Sequence, residues 1–259
     1  MRIMLTNDDG VHAPGLEVLE RIARQLSDDI WICAPHDEQS GAGHSLTLTQ
    51  PVRLRKFGDR RFSVTGTPTD AVMFAIGELM PDKRPDLILS GVNRGANLGD
   101  DVTYSGTVSA AMEGTLAGIR SIALSQVYSR ADAGLEVSFD AAEMWGARVL
   151  RPLLDMDFGP RTLVNVNFPP IAADQVKGVR VVRQGFHDYA RVNIVKGTDP
   201  RGFDYYWFGL HGIKHVQGSE SDLEAIGHGC ISVTPLRLDL TQDRMLEAFA
   251  DRYRDMDAQ

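Results

Sequence analysis

Two adjacent carboxylates, Asp8 and Asp9, stand between Asn7 and Gly10, directly after the apolar run Ile3-Met4-Leu5. Successive side chains on a strand point to opposite faces, so this pair can face one point only if the strand ends before it. Asn7 and the Asp9-Gly10 step are turn formers and supply that end. Two carboxylates facing one point repel each other unless something positive lies between them, and a hard metal ion is the simplest choice. An acidic surface turn uses the same residues, so the pair alone leaves both readings open.

Further oxygen donors follow later apolar runs. Ser40 lies in Gln39-Ser40-Gly41, and Asn93 and Asn97 lie between Gly91 and Gly99. Carboxylate, hydroxyl and amide oxygens suit Mg²⁺, Mn²⁺ or Ca²⁺, whereas a structural zinc site would want Cys or His. A set with only two carboxylates leaves a divalent ion open to water and to a phosphate oxygen, which describes a catalytic site better than a storage site. Tyr104-Ser105-Gly106-Thr107 then opens a helical pattern. Free N–H groups and the dipole at a helix start attract anions, and Gly106 lets a phosphate approach the backbone. A plain N-cap explains these residues equally well when they are taken alone. Beside a metal they form a phosphate-binding arrangement, with a water activated by the ion as nucleophile. His12 and His44 are candidates for protonating a leaving alkoxide, or are simply surface histidines. Asp70, in Gly66-Thr67-Pro68-Thr69-Asp70, reads as a helix cap, and Glu113 as a support for the anion-site helix.

The elements that must position these residues follow from periodicity. Arg2–Leu5, Ile30–Ala34, Asp86–Ser90, Ser121–Leu124 and Leu163–Val166 read as core strands. Pro14–Leu26, Ala71–Leu79, Thr107–Ala117 and Phe139–Leu154 read as helices between them, and the order strand, helix, strand requires parallel pairs. Ser45–Phe57 and Arg61–Thr65 show rough alternation and read as antiparallel strands, and Gly91–Gly99 reads as a loop. Past residue 170 the pattern changes. Val179–Arg183, Tyr205–Phe208 and Cys230–Thr234 read as antiparallel strands with no helix between them, before an amphipathic helix over Leu240–Arg254. The expected fold is α/β: a Rossmann-like, doubly wound, mainly parallel sheet over residues 1–170, with an appended antiparallel β-rich part over 171–259. In such a sheet ligands bind at the carboxyl ends of the strands, where Asp8, Asp9, Ser40, Asn93 and Asn97 all fall.

Bulk properties narrow the function. A net charge of −8 argues against binding a nucleic-acid polymer but leaves room for a small phosphorylated substrate. No apolar run is long enough to span a membrane, and Arg2 leads at once into a strand rather than a signal peptide, so a cytoplasmic location is expected. Cys33 and Cys230 sit in apolar stretches and read as buried thiols.

Taken in order, Leu5-Thr6-Asn7-Asp8-Asp9-Gly10-Val11-His12-Ala13-Pro14-Gly15, Ser40-Gly41-Ala42-Gly43-His44-Ser45-Leu46-Thr47, the Gly66–Asp70 stretch, Ser90–Gly99 and Tyr104–Val108 resemble the SurE family. These are stationary-phase survival proteins that act as 5′/3′-nucleotidases. The resemblance extends through Asn165–Pro169, Asp199-Pro200-Arg201-Gly202 and Ser232-Val233-Thr234-Pro235-Leu236. It implies a phosphomonoesterase for nucleoside 5′- and 3′-monophosphates, in some members also for short polyphosphate, using one divalent cation per subunit, Mg²⁺ or Mn²⁺. Carried over by position, the metal ligands are Asp8, Asp9, Ser40 and Asn93, with Asp8 and Asp9 as the catalytic pair. Asn97, Ser105, Gly106 and Thr107 hold the phosphate. The resemblance also implies a homodimer or homotetramer that exchanges hairpins and C-terminal segments. The chain departs from the pattern at Gly229-Cys230-Ile231, where an aromatic residue is expected, and over His211–Glu220.

Two other classes share part of this layout. A phosphoreceiver module also places an acidic pair after its first strand, but it needs a later Asp and a Lys, and no Lys lies between Lys83 and Lys177. An aspartyl-phosphate phosphatase of the haloacid dehalogenase type needs aspartates at i and i+2, which adjacent Asp8 and Asp9 do not provide.

Overall fold

Strand β1 (Arg2–Thr6) is apolar on both faces because helices cover both. Ile3 and Leu5 join a core cluster on one side, and Met4 joins a second cluster on the other. The computed structural model describes residues 1–128, 137–187, 193–209, 220–254 and 256. After β1 come α1 (Pro14–Arg24), β2 (Asp29–Pro35), β3 (Leu54–Gly58), β4 (Arg61–Val64), α2 (Pro68–Phe74) and β5 (Leu87–Arg94). Next are α3 (Gly106–Leu116), β6 (Arg120–Gln126), α4 (Asp140–Leu150), β7 (Thr162–Phe168) and β8 (Val179–Val181). The chain continues with β9 (Asn193–Thr198), β10 (Asp204–Gly209), α5 (Asp222–Gly227), β11 (Ile231–Arg237) and α6 (Asp243–Tyr253).

The main sheet has the order β3-β4-β2-β1-β5-β6-β7-β11-β8. Its middle six strands, β4 to β7, are parallel to one another. Leu16, Leu19 and Ile22 of α1 and Ala141, Ala142 and Leu150 of α4 pack in the cluster of Ile3 and Leu5. Ala71 and Val72 of α2 and Ala110 of α3 pack in the cluster of Met4. This is the expected doubly wound α/β layout. A separate two-stranded antiparallel sheet is formed by β9 and β10. Among the described residues no helix is long and apolar enough to cross a membrane. Cys33 and Cys230 are buried and unbridged, and burial pushes the Cys33 thiol up to about 12.

Four expectations are corrected. Of the stretch Ser45–Phe57 only the end, from Leu54, is strand. Around Ser45 and Thr47 the backbone bonds instead to side chains of the α2 cap: Thr67 Oγ1 donates to the Ser45 carbonyl, and the Thr47 N–H donates to Asp70. The helix expected from Ala71 begins at Pro68, because Thr67 and Asp70 form a reciprocal capping box, and it ends in a π-helical turn over Ala75–Leu79. The strand expected to end at Ser90 runs to Arg94 through an irregularity in its pairing with β6, so Asn93 sits on a strand end rather than in a loop. Gly91 makes this path feasible. Its φ is +135°, its peptide bond to Val92 is cis, and a Cβ there would lie 2.2 Å from the Leu124 carbonyl oxygen.

The fourth correction concerns the C-terminal part. Two of its three expected strands extend the main sheet: β11 lies antiparallel to β7, and β8 lies parallel to β11. Residues Ile231 to Thr234 are buried because β11 has a neighbour on each side. The third, β10, pairs with β9. A helix does intervene, α5, capped reciprocally by Ser221 and Glu224. Apart from Glu220, the divergent stretch His211–Glu220 lies outside the described residues.

Candidate active site

From β1 the chain winds one way to β2 and β4, and then returns to place β5 on the other side of β1. The crevice between β1 and β5 is therefore the point where strand order reverses, the usual ligand site of an open α/β sheet. Asp8 and Asp9 follow the end of β1, and Asn93 lies near the end of β5. Asn7 tightens the turn by donating from Nδ2 to the Gly10 carbonyl at 2.9 Å. The Gln39 N–H donates to the Asp8 carbonyl at 2.8 Å, which ties the Ser40 loop to the acidic pair.

Asp8 is buried against the start of α3. Thr107 Oγ1 donates a short hydrogen bond to Asp8 Oδ1. Gly106 lies so close that a Cβ there would sit 2.7 Å from the Asp8 Cβ and 3.1 Å from Pro68 Cγ. Ser105 caps the helix conventionally, accepting the Val108 N–H at 3.1 Å. Asp9 Oδ2 accepts the Arg94 N–H at 3.1 Å, which links the acidic pair to the end of β5. The Ser40 hydroxyl is exposed and donates to Glu38 at 3.0 Å. Asn93 Nδ2 donates to the Gly95 carbonyl at 3.0 Å. Asn97 Nδ2 donates to Ser125 Oγ at 2.9 Å, and Ser125 is the β6 partner of Asn93. A cavity of about 1000 Å³ opens beside this group, lined by Asp9, Ser40 and Arg94 and also by Tyr128 and Phe139.

Burial pushes the Asp8 carboxyl up to about 6; the Thr107 hydrogen bond pulls it down and the neighbouring Asp9 charge raises it. Burial also raises Asp9, the Arg94 N–H opposes that, and Glu38 adds to it. No cationic side chain among the described residues contributes to holding Asp8 ionised. Among the described residues no cluster of three or more His, Cys, Asp or Glu side chains forms a metal site. The donor set thus stays as the sequence suggests: two crowded carboxylates, both raised by burial even with the Arg94 charge acting on Asp9, and neutral hydroxyl and amide side chains on the adjoining segments. Such a set fits a hard divalent cation and does not fit a soft one.

The two histidine candidates pair with other side chains. His44 Nε2 pairs with Glu113 at 3.1 Å, two turns along α3 from its start. The His12 ring packs edge-on to Phe57, 5.1 Å between centroids. Asp70 is a cap, as expected. The sequence reading missed the residues that hold Asn97. Its N–H donates to Asn167 Oδ1 at 2.9 Å, and its carbonyl accepts Asn165 Nδ2 at 2.8 Å and Asn167 Nδ2 at 3.0 Å. The alternation of these two asparagines with Val164, Val166 and Phe168 was the available signal, since it puts both amides on one face of β7.

Comparison with known proteins points to one family. The family model described as "Survival protein SurE" matches residues 3–191. The chain is 67% identical over 253 residues to a protein of Erythrobacter litoralis named 5′-nucleotidase SurE, an alignment covering 98% of this chain and 100% of that one. It is 64% identical over 254 residues to a protein of the same name from Rhizorhabdus wittichii, with 98% and 100% coverage. The crystal structure of the SurE protein from Aquifex aeolicus superposes with a TM-score of 0.82 at 36% identity, covering 97% of this chain and 99% of that one.

Proposed function

This chain belongs to the survival protein SurE family, and from that premise we propose that it is a 5′-nucleotidase whose hydrolysis of nucleoside monophosphates depends on a divalent cation. The observation that carries the proposal is the seat of Asp8: a buried carboxylate pressed on the start of α3, adjacent to Asp9 and with no cation of its own. Asp8, Asp9, Ser40 and Asn93 are the residues that would hold Mg²⁺ or Mn²⁺. When bound, the ion supplies Lewis-acid polarisation of the phosphoryl group and makes water acidic enough to act as nucleophile near neutral pH.

The chain's own groups do the rest. Asp8 and Asp9 would hold the ion and are not themselves phosphorylated; their adjacency does not match the i, i+2 spacing of the haloacid dehalogenase type. Thr107 holds Asp8 in place through its hydroxyl, and the free N–H groups at the start of α3 receive phosphate oxygens, where the helix dipole favours negative charge. Asn97 contacts the phosphate from the β6 side, fixed there by Ser125, Asn165 and Asn167. The open cavity toward Tyr128 and Phe139 receives the nucleoside. Its room and the cationic Arg94 on its lining support acceptance of 3′-monophosphates and short polyphosphate as well.

The chain also self-associates in this reading, as a homodimer or homotetramer. Tyr205, Tyr206, Trp207 and Phe208 on β10 and Met245, Leu246, Phe249 and Tyr253 on α6 are exposed apolar surface that a second copy would cover. The decisive assay is phosphate release from AMP and GMP with Mg²⁺ or Mn²⁺, and then with EDTA. Turnover that survives EDTA, or none on any phosphomonoester, refutes the proposal.

A further inference from the structure

A fully buried carboxylate, Asp222, has no task in the chemistry above. It is the first residue of α5 and accepts three backbone N–H groups. Gly99 donates to Oδ2 at 2.9 Å, while Gly185 and Leu223 donate to Oδ1 at 2.8 and 2.9 Å. Gly99 closes the segment that carries Asn97, so this carboxylate grips the phosphate-contacting loop from the C-terminal half of the chain. Neighbours complete the grip: Gln184 Nε2 donates to the Gly99 carbonyl at 2.9 Å, and the His187 N–H donates to Asp100 Oδ2 at 2.8 Å. A Cβ on Gly99, whose φ is +54°, would sit 3.2 Å from the His187 ring. From the opposite side Asn165 and Asn167 hold the Asn97 backbone. Asn97 is therefore fixed from two directions, by β7 and by the start of α5.

We propose that Asp222 is a positioning residue for phosphate recognition: it touches no substrate, but its grip on Gly99 keeps the Asn97 amide aimed at the phosphate. This rests on the reading of Asn97 as a phosphate contact. Packing alone would be served by an apolar residue, since a buried charge is costly unless its hydrogen bonds are filled. A carboxylate is the side chain that can take N–H donors on both oxygens at once; an amide places an NH₂ against one of them.

The test uses the full-length protein, saturating Mn²⁺, a nucleoside monophosphate as substrate and inorganic phosphate as competitive inhibitor. In Asp222→Asn, KM and the phosphate inhibition constant rise together by about tenfold, the worth of one charge-assisted hydrogen bond, with kcat changed by less than about threefold. The Mn²⁺ concentration for half activity stays at the wild-type value, and amide exchange over residues 95–101 accelerates. Gln184→Ala, which loosens the same loop without disturbing a buried charge, raises both constants by about threefold. A folded Asp222→Asn protein with wild-type KM and phosphate inhibition overturns the inference, as does one that loses kcat alone. Should Asp222→Asn not fold, unchanged constants in Gln184→Ala overturn it. A wild-type protein that releases no phosphate from any monophosphate instead refutes the reading of the site, and the exchange measurement then decides whether Asp222 orders the loop.

Discussion

Replacing Asp8 by Asn should stabilise the metal-free protein while abolishing its activity. The Asp8 carboxyl is raised from an ordinary 3.8 to about 6, chiefly by burial, so keeping it ionised in the fold costs about 3 kcal/mol at neutral pH. Asparagine removes that charge and still offers one oxygen to the Thr107 hydroxyl. It forfeits the second acceptor oxygen, which returns about 1 kcal/mol, leaving a net gain of about 2 kcal/mol. For a chain of this size that is a rise in Tm of about 4–8 °C in EDTA at pH 7.5. The sign follows from linkage. A group whose folded pKa lies above its unfolded value adds stability below the unfolded value, and loses it as pH rises through the folded one. The advantage of Asp8→Asn should therefore shrink as pH falls from about 6 toward 4, where wild-type Asp8 is protonated in the fold. Adding Mn²⁺ should reverse the order, because only wild type gains stability from binding, about 4 kcal/mol at a thousandfold excess over Kd. The measurement is a set of thermal melts of both proteins, in EDTA and in Mn²⁺, from pH 4 to 8. A variant that melts below wild type in EDTA at pH 7.5, or a gap indifferent to pH, refutes the claim that Asp8 is a buried carboxylate short of a cation.

Gly106→Ala should lower kcat/KM by about a hundredfold, since its Cβ would lie 2.7 Å from that of Asp8 and neither the helix start nor β1 can retreat; activity within a few-fold of wild type counters the proposed packing. Thr107→Val, nearly isosteric, removes the hydroxyl from Asp8 and should weaken Mn²⁺ binding by about tenfold, read by titration calorimetry; an unchanged Kd dissociates the two residues. His44→Ala should leave kcat within about threefold, because its partner Glu113 lies about 10 Å along α3 from Gly106; a large loss restores His44 as proton donor. Trp207→Glu with Phe208→Glu should shift the mass seen by light scattering toward the monomer, and an unaltered assembly removes the β9–β10 hairpin from the interface.

The core layout was legible from the sequence because its signals are local. Apolar runs such as Ile3–Leu5 and Leu87–Leu89 declare buried strands, the spacing of Leu16, Leu19 and Ile22 declares a helix face, and Asn7–Gly10 declares a turn. These elements in order are enough for a doubly wound sheet and for its ligand-binding end. The parts that misread depend on distant partners. Ser45 and Thr47 leave the strand pattern because Thr67 and Asp70 satisfy their backbone, and Cys230–Thr234 extends the main sheet because β7 offers it an edge. No window of sequence contains either fact.

The site divides along the same line. The sequence by itself determined the chemistry available, hard oxygen donors in Asp8, Asp9, Ser40, Asn93 and Asn97 and a helix start at Ser105-Gly106-Thr107, because residue type fixes donor character. Only the tertiary structure decided how those donors are poised. Asp8 owes its raised pKa to burial under α3, Asp9 its position to the Arg94 N–H, Asn97 its hold to Asn165 and Asn167, and Gly99 its hold to Asp222, 123 residues away in the chain. Desolvation and hydrogen bonding are properties of what packs against a group, and what packs there is settled when the sheet closes and not when the residue is written.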